Sequence, residues 1–312
     1  MIPITAILPV RNAASWLPKT FPSVLANLEI VDELIVIDDG SIDSSMDIIN
    51  GLASHRDLKL LQGSGGGIVQ ALNLGLEHAS HDWIARFDAD DFYPSERIKV
   101  QRTQLTQGLG AIFCDYEIFL SGEKSLGIIP SPVFDFATRL SLLRSQRTAH
   151  PSVLFNKSIA LGVGGYLEQE FPAEDLGLWL RISNFGRLES VPFLGLNYNL
   201  NNTSISSTRY GEAKDKSIKL VKNALDANFL VDFNIDEVAG TLESYKSFTL
   251  SKQRRLLHIY DLINTEFFVR RTSIEQKSIV KLVLHEISKP NFFIPGSQLI
   301  VEKIRRKIAR WN

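Results

Sequence analysis

Short apolar runs alternate with stretches of helical spacing over the first 130 residues. Residues 4–10 are almost continuously apolar, and apolar positions then recur at helical intervals from 15 to about 28. A second β-branched run, 33–37, is followed by a helical pattern over 44–52. A third run, 58–61, leads through a glycine cluster at 63–67 to a helical stretch ending near Ala79. Residues 83–87 and 111–119 complete the strand set, with a helix expected to start near Ser95. Strands and helices linked this tightly predict an α/β fold with a mainly parallel sheet flanked by helices. Beyond residue 130 the pattern predicts a helix over 131–147, a strand with a polar head over 150–155, a glycine-rich loop at 162–165 and a helix over 176–184. From Tyr210 onward it is mostly helical, with links near 234–236 and 290–295.

Polar residues gather just after the strands: Arg11 and Asn12, Asp38 and Asp39, and Asp88 with Asp90 and Asp91. In an open α/β sheet these positions share the carboxyl edge, where ligands bind. Three acids within four residues repel one another, so a cation or a solvated turn must absorb their charge. In an extended segment residues two apart point the same way, which would aim Asp88 and Asp90 at one spot suited to Mg²⁺ or Mn²⁺. An exposed acidic turn before a helix is the plainer alternative. The chain has neither a GxGxxG opening a helix after the first strand nor GxxxxGK[ST] nor a zinc-spaced Cys/His set, which disfavours dinucleotide, P-loop and zinc sites.

Composition is that of a soluble globular protein, 44% hydrophobic and 22% charged. The net charge of −1 conceals an asymmetry: residues 1–210 carry 16 basic and 23 acidic side chains, residues 211–312 carry 18 and 12. Two modules are therefore expected, 1–208 and a basic, helical 209–312. The single cysteine, Cys114, sits in an apolar run and reads as a buried thiol. Without a basic, apolar leader or a long apolar span, the reading is a reducing, cytoplasmic protein. An acidic N-terminal module argues against nucleic acid as a partner.

Eight pieces in order resemble family-2 glycosyltransferases of the GT-A fold: Leu8-Pro9-Val10-Arg11-Asn12, Ile37-Asp38-Asp39-Gly40-Ser41, Gly66-Gly67-Ile68 with Ala71-Leu72-Asn73, Ile84 to Asp91, Arg97 with Gln101, His150-Pro151-Ser152, Gly164-Gly165-Tyr166, and Glu174-Asp175 with Trp179. The resemblance covers about residues 2–208. It implies metal-dependent, inverting transfer of a sugar from a nucleoside-diphosphate sugar, UDP-linked by the match at Asp39, to an acceptor hydroxyl in polysaccharide or glycoconjugate synthesis. By that pattern Asp90, with Asp88, holds Mn²⁺ or Mg²⁺, Asp88 also contacts the ribose, and Asp175 is the general base. Pro9, Arg11, Asn12, Asp38, Asp39, Gly67 and Arg86 match the donor side; His150, Glu174 and Trp179 match the acceptor side. The implied partners are a nucleotide sugar and a glycan or lipid-linked glycan, with homo-oligomer formation left open.

The sequence departs from the pattern at its end, where Tyr198-Asn199-Leu200-Asn201 has Asn in place of an expected Arg and His, and Asn156 replaces a frequent Arg. A metal ligand or diphosphate contact is thereby in question, and a non-catalytic sugar-nucleotide binder of the same fold stays open, as does a nucleotidyltransferase. Residues 298–312 place Ile300, Ile304, Ile308 and Trp311 on one stripe among five basic side chains. Two readings stand: a peripheral contact with the inner face of the membrane, or a helix packed on the catalytic module or a second subunit.

Overall fold

The computed structural model describes residues 1–53, 58–121, 123–132, 135–142, 148–201 and 204–226. The expected alternation is present: β1 (Thr5–Val10), α1 (Leu17–Leu25), β2 (Glu33–Asp38), α2 (Ser45–Leu52), β3 (Lys59–Gln62), α3 (Ile68–His78), β4 (Trp83–Arg86), α4 (Arg97–Arg102) and β5 (Leu109–Leu120). There follow β6 (Lys124–Ile129), α5 (Asp135–Leu142), β7 (Leu154–Asn156), α6 (Lys157–Gly162), α7 (Glu174–Ile182), β8 (Arg187–Leu200), α8 (Ile205–Thr208) and α9 (Tyr210–Asp226). The eight strands form one mixed sheet in the order β3-β2-β1-β4-β7-β5-β6, with β8 also on β5. β3, β2, β1 and β4 run parallel, and β8 runs parallel to β5; β7 and β6 are antiparallel to their neighbours.

The apolar runs form strands because both faces of the sheet are covered. Ile7, Ile35 and Ile37 lie in one core with Leu72 and Leu76 of α3 and Leu178, Trp179 and Ile182 of α7. Ala6, Leu8, Leu34 and Val36 lie in the other, with Leu17, Phe21 and Val24 of α1 and Ile49 of α2. Each such burial is worth about 1.5–3 kcal/mol before chain entropy is counted. Gly75 lets α3 sit close to the sheet, since a Cβ there would lie 2.8 Å from Ile7 Cγ2. α9 returns Val221 to the core occupied by α7.

Register places the site. Val10 pairs with Asp38 and Asp38 with Gln62, while Ile7 pairs with Arg86. The residues just beyond these pairs therefore emerge along one carboxyl edge. Under that edge lies a fully buried cation, Arg97. Its Nη2 donates to the carbonyls of Arg86 (3.0 Å) and Val153 (2.9 Å), and its Nε donates to Gln101 Oε1 at 3.2 Å. Its guanidinium lies 4.6 Å from the Phe87 ring centroid and 5.2 Å from that of Tyr93. Burial pulls its pKa down, so these partners must offset a desolvation cost of several kcal/mol. Gln101 Nε2 in turn donates to the carbonyls of Ile112 (2.9 Å) and Ser152 (2.8 Å). One helix turn thus ties β4, β5 and the 150–153 segment together.

Residues 150–152 form a 3₁₀ turn rather than the head of a strand: Pro151 has no N–H to give a ladder, and Ser152 N turns back to Ala149 O at 3.0 Å. The helix expected over 131–147 is described only as α5, with 143–147 outside the described residues. Asn156 caps α6, its side chain accepting from Ile159 N at 2.9 Å. β6, α6 and β8 were not foreseen. The helical reading beyond Asp226 and the basic segment 298–312 lie outside the described residues. Among those described, no helix is long and apolar enough to cross a membrane.

Gln101→Leu should keep the α4 fold but remove the amide donor from two buried carbonyls, leaving that of Ser152 only the weak Cys114 thiol. The expected loss is about 2–4 kcal/mol, on the usual cost of unsatisfied buried groups, read as a lower urea midpoint at unchanged slope. A midpoint equal to wild type would show that the clamp carries no stability.

Candidate active site

The acidic segment leaves the sheet before its carboxylates converge. β4 ends at Arg86, so Asp88 and Asp90 meet through a turn, not through strand alternation as the sequence suggested. Oxygens of Asp88, Asp90 and Asp91 lie within 4.8 Å of one another. The turn is held from below: Asp88 N donates to Tyr93 Oη at 2.5 Å, Thr20 Oγ1 donates to Ala89 O at 2.6 Å, and Tyr93 N donates to Ser23 Oγ at 3.1 Å. Asn27 adds a bond from its Nδ2 to Tyr93 O at 3.3 Å.

Each acid is treated differently. Buried Arg86 ion-pairs with Asp88. Burial opposes the Arg86 charge, but the adjacent Asp88 more than restores it. Asp91, 1% exposed, accepts from Asn199 N at 2.7 Å, and its Oδ2 has no hydrogen-bond partner among the described residues. Asp90 accepts from Asn201 Nδ2 at 2.7 Å. Burial first and the Asp88 charge second push the Asp90 carboxyl up to about 6, and burial pushes Asp91 up as well. Uncharged amides therefore satisfy geometry without cancelling the negative charge. An all-oxygen donor set with this excess charge fits a hard divalent cation.

The ends of β1 and β2 form the neighbouring wall. Asp38 is turned inward on its own loop, accepting from Ser41 N at 2.8 Å, which is the turn role open to Asp-Asp-Gly-Ser. Asp39 is 4% exposed; its Oδ2 accepts from Gly67 N at 2.9 Å and meets Arg11 Nη1 at 3.4 Å. Its Oδ1 has no hydrogen-bond partner among the described residues. A Cβ on Gly63 would lie 2.9 Å from that oxygen, so glycine is needed there for room. Arg11 is exposed and also donates to Gly65 O at 3.3 Å. Asn12, at φ 51°, accepts from Ile42 N at 2.9 Å and braces the same loop. Pro9 is buried within β1.

Across the edge stands the start of α7. Glu174 is 7% exposed with Oε2 unpartnered among the described residues. Burial first and neighbouring Asp175 second push its carboxyl up to about 7, and it also feels Arg86 and Asp88. Asp175 is half-buried and its Oδ1 accepts from Leu176 N at 2.7 Å. His150 Nε2 lies 2.8 Å from Tyr166 Oη. Burial, and secondarily the Arg86 charge, hold the His150 pKa well below its usual value, so the ring is neutral. Trp179, expected on the acceptor side, is fully buried against Phe113 and Phe155 and edge-on to His150, so it supports the cleft from beneath.

Sequence reading singled out the acids but not what holds them. Thr20, Ser23 and Asn27 lie at three- and four-residue spacing on or just past α1, a polar stripe within its buried face. That interruption of an apolar stripe was the available signal. Asn199 and Asn201, noted only as departures, are the amides that contact Asp91 and Asp90.

A family model described as glycosyl transferase family 2 matches residues 5–145. The chain is 28% identical over 183 residues to the UDP-Gal:alpha-D-GlcNAc-diphosphoundecaprenol beta-1,3-galactosyltransferase of Escherichia coli, covering 55% of this chain and 64% of that protein. Such curated relatives are matched over about two thirds of their length or less. Among solved structures, S. aureus TarS 1–349 in complex with UDP-GlcNAc superposes with a TM-score of 0.58 at 15% identity, covering 91% of this chain and 86% of that one. The mannosyltransferase PcManGT from Pyrobaculum calidifontis, in complex with GDP-Man and Mn²⁺, gives 0.53 at 15%, covering 90% and 84%. At these identities the structures speak to fold alone. Sequence match and sheet order agree: residues 5–145 match glycosyltransferase family 2, and the chain has the GT-A fold.

Proposed function

We propose that the protein transfers a sugar from a UDP-sugar to an acceptor hydroxyl, with inversion at the transferred carbon. The observation that carries the proposal is the meeting at one sheet edge of the Asp88–Asp90–Asp91 cluster and the Glu174–Asp175 pair. Asp88 and Asp90 would hold Mn²⁺ or Mg²⁺, which when bound supplies positive charge against the diphosphate. Asp39 offers its unpartnered Oδ1 to an N–H on the pyrimidine edge, and Arg11 lies exposed beside it.

Asp175 acts as general base. A sugar hydroxyl is too weak an acid to attack unaided and must lose its proton to a nearby acceptor in the transition state. Asp175 sits in the first turn of α7, where the helix N-terminus favours a carboxylate anion. It is half-buried, whereas Glu174 is enclosed, so Asp175 is the acid an incoming hydroxyl can reach. The Escherichia coli relative is named for a diphosphoundecaprenol-linked acceptor, which supports a lipid-linked glycan as acceptor here.

Asp90→Ala should remove the rise in melting temperature that Mn²⁺ with UDP produces in the wild type. The sign of its pH dependence follows from Asp90. Its raised pKa means that proton uptake favours the folded state and that ionisation above about 6 costs stability. A bound cation offsets that cost, so Mn²⁺ should stabilise more at pH 7.5 than at pH 5. An equal effect at both pH values would reject the assignment.

Asp175→Asn should bind UDP as the wild type does while transfer falls by a factor of about 10²–10⁴, the usual worth of a general base. UDP release measured against a panel of glycan acceptors tests it. Retention of most of the rate would place the base elsewhere.

A further inference from the structure

Tyr166 occupies a loop fixed from three directions. Its backbone is gripped by Asn73 of α3, whose Nδ2 donates to Tyr166 O at 2.8 Å and whose Oδ1 accepts from Tyr166 N at 2.9 Å. Arg181 of α7 donates to the carbonyls of Gly165 and Val163 on the same loop and ion-pairs with Glu170. Gly165, at φ +65°, leaves no room for a side chain, because a Cβ would lie 2.7 Å from Asn73 Oδ1. The phenol is consequently set in place: it is 2% exposed and its Oη lies 2.8 Å from His150 Nε2.

This contact has a direction. Burial raises the Tyr166 pKa and lowers that of His150, so phenol and imidazole are both neutral and a single proton lies between Oη and Nε2. His150 Nε2 is the one polar partner of the phenol among the described residues. If Nε2–H donated to the phenol oxygen, the buried phenol proton would have no acceptor. If the phenol donates to Nε2, both groups are satisfied and the imidazole proton resides on Nδ1. Trp179, edge-on to the ring at 5.8 Å between centroids, backs this orientation.

We propose that Tyr166 is a positioning residue that fixes His150 as the neutral Nδ1–H tautomer, so that the imidazole offers an N–H donor, not an acceptor, to a substrate oxygen in the cleft. A neutral donor strengthens its hydrogen bond to an oxygen that gains negative charge during transfer without surrendering a proton. The consequence for transfer rests on the sugar-transfer reading; the tautomer rests on the buried contact between Oη and Nε2.

The test uses the full chain labelled with ¹⁵N-histidine, with the His150 signals identified by their loss in His150→Gln. Long-range ¹H–¹⁵N spectra of the wild type should show His150 protonated at Nδ1 and bare at Nε2. Tyr166→Phe keeps the ring and the Asn73 bonds while removing the hydroxyl, so its His150 should shift toward the Nε2–H form. Its kcat should fall about tenfold to a hundredfold, the usual scale for a lost orienting partner, with donor KM within about twofold of wild type. Wild-type His150 protonated at Nε2 would overturn the proposal, whether or not the variant folds. So would an unchanged tautomer in Tyr166→Phe, or a changed tautomer with unchanged kcat. If no sugar nucleotide supports transfer by the wild type, the functional reading falls, and the spectra still decide the tautomer.

Discussion

Three carboxylates forced together at the exit of β4 are the constraint around which this molecule is arranged. Like charges whose oxygens lie within 4.8 Å would separate if the chain were free to move. They stay because the turn carrying them is tied to α1 and the residues just past it through Thr20, Ser23 and Asn27, and to the end of β8 through Asn199 and the adjoining Asn201. Arg86 neutralises Asp88, but Asp90 and Asp91 receive amides instead of cations. The residual negative charge is therefore built in; burial first, and the neighbouring carboxylates second, push both carboxyls up.

Holding that turn requires a rigid floor, which Arg97 and Gln101 supply. Arg97 is buried under the rings of Phe87 and Tyr93, and with Gln101 it binds four carbonyls from different parts of the sheet and the 3₁₀ turn. The same turn carries His150. A single helix turn thus couples the acidic cluster on one side of the cleft to the imidazole on the other. Trp179, beneath His150, extends this support into the core.

Much of this was legible in the residues. β1, β2 and β4 read as strands because burial on both faces demands unbroken apolar runs, and the acids at their ends stood out against them. What could not be read was anything set by distant pairing. β8 is interrupted by Pro192 and Gly195 and shifts register against β5, so it shows no clean alternation. Arg97 and Gln101, four apart on a short helix, look like a solvent face until the fold buries them. Asp38 and Asp39 are adjacent and chemically identical; only the loop geometry sends one into its own turn and leaves the other with an unpartnered oxygen. Trp179 carries no sequence signal to separate cleft lining from cleft support.

The central claim is that the charge left uncompensated at β4 is reserved for a cation that acts together with a nucleotide diphosphate. Calorimetric titration of the full chain with UDP, in Mn²⁺ and in EDTA, together with titration of Mn²⁺ with and without UDP, tests it most directly. The account predicts that each ligand tightens binding of the other by the same factor, as linkage requires of two ligands sharing one site. UDP binding equally tight in EDTA and in Mn²⁺ would contradict it.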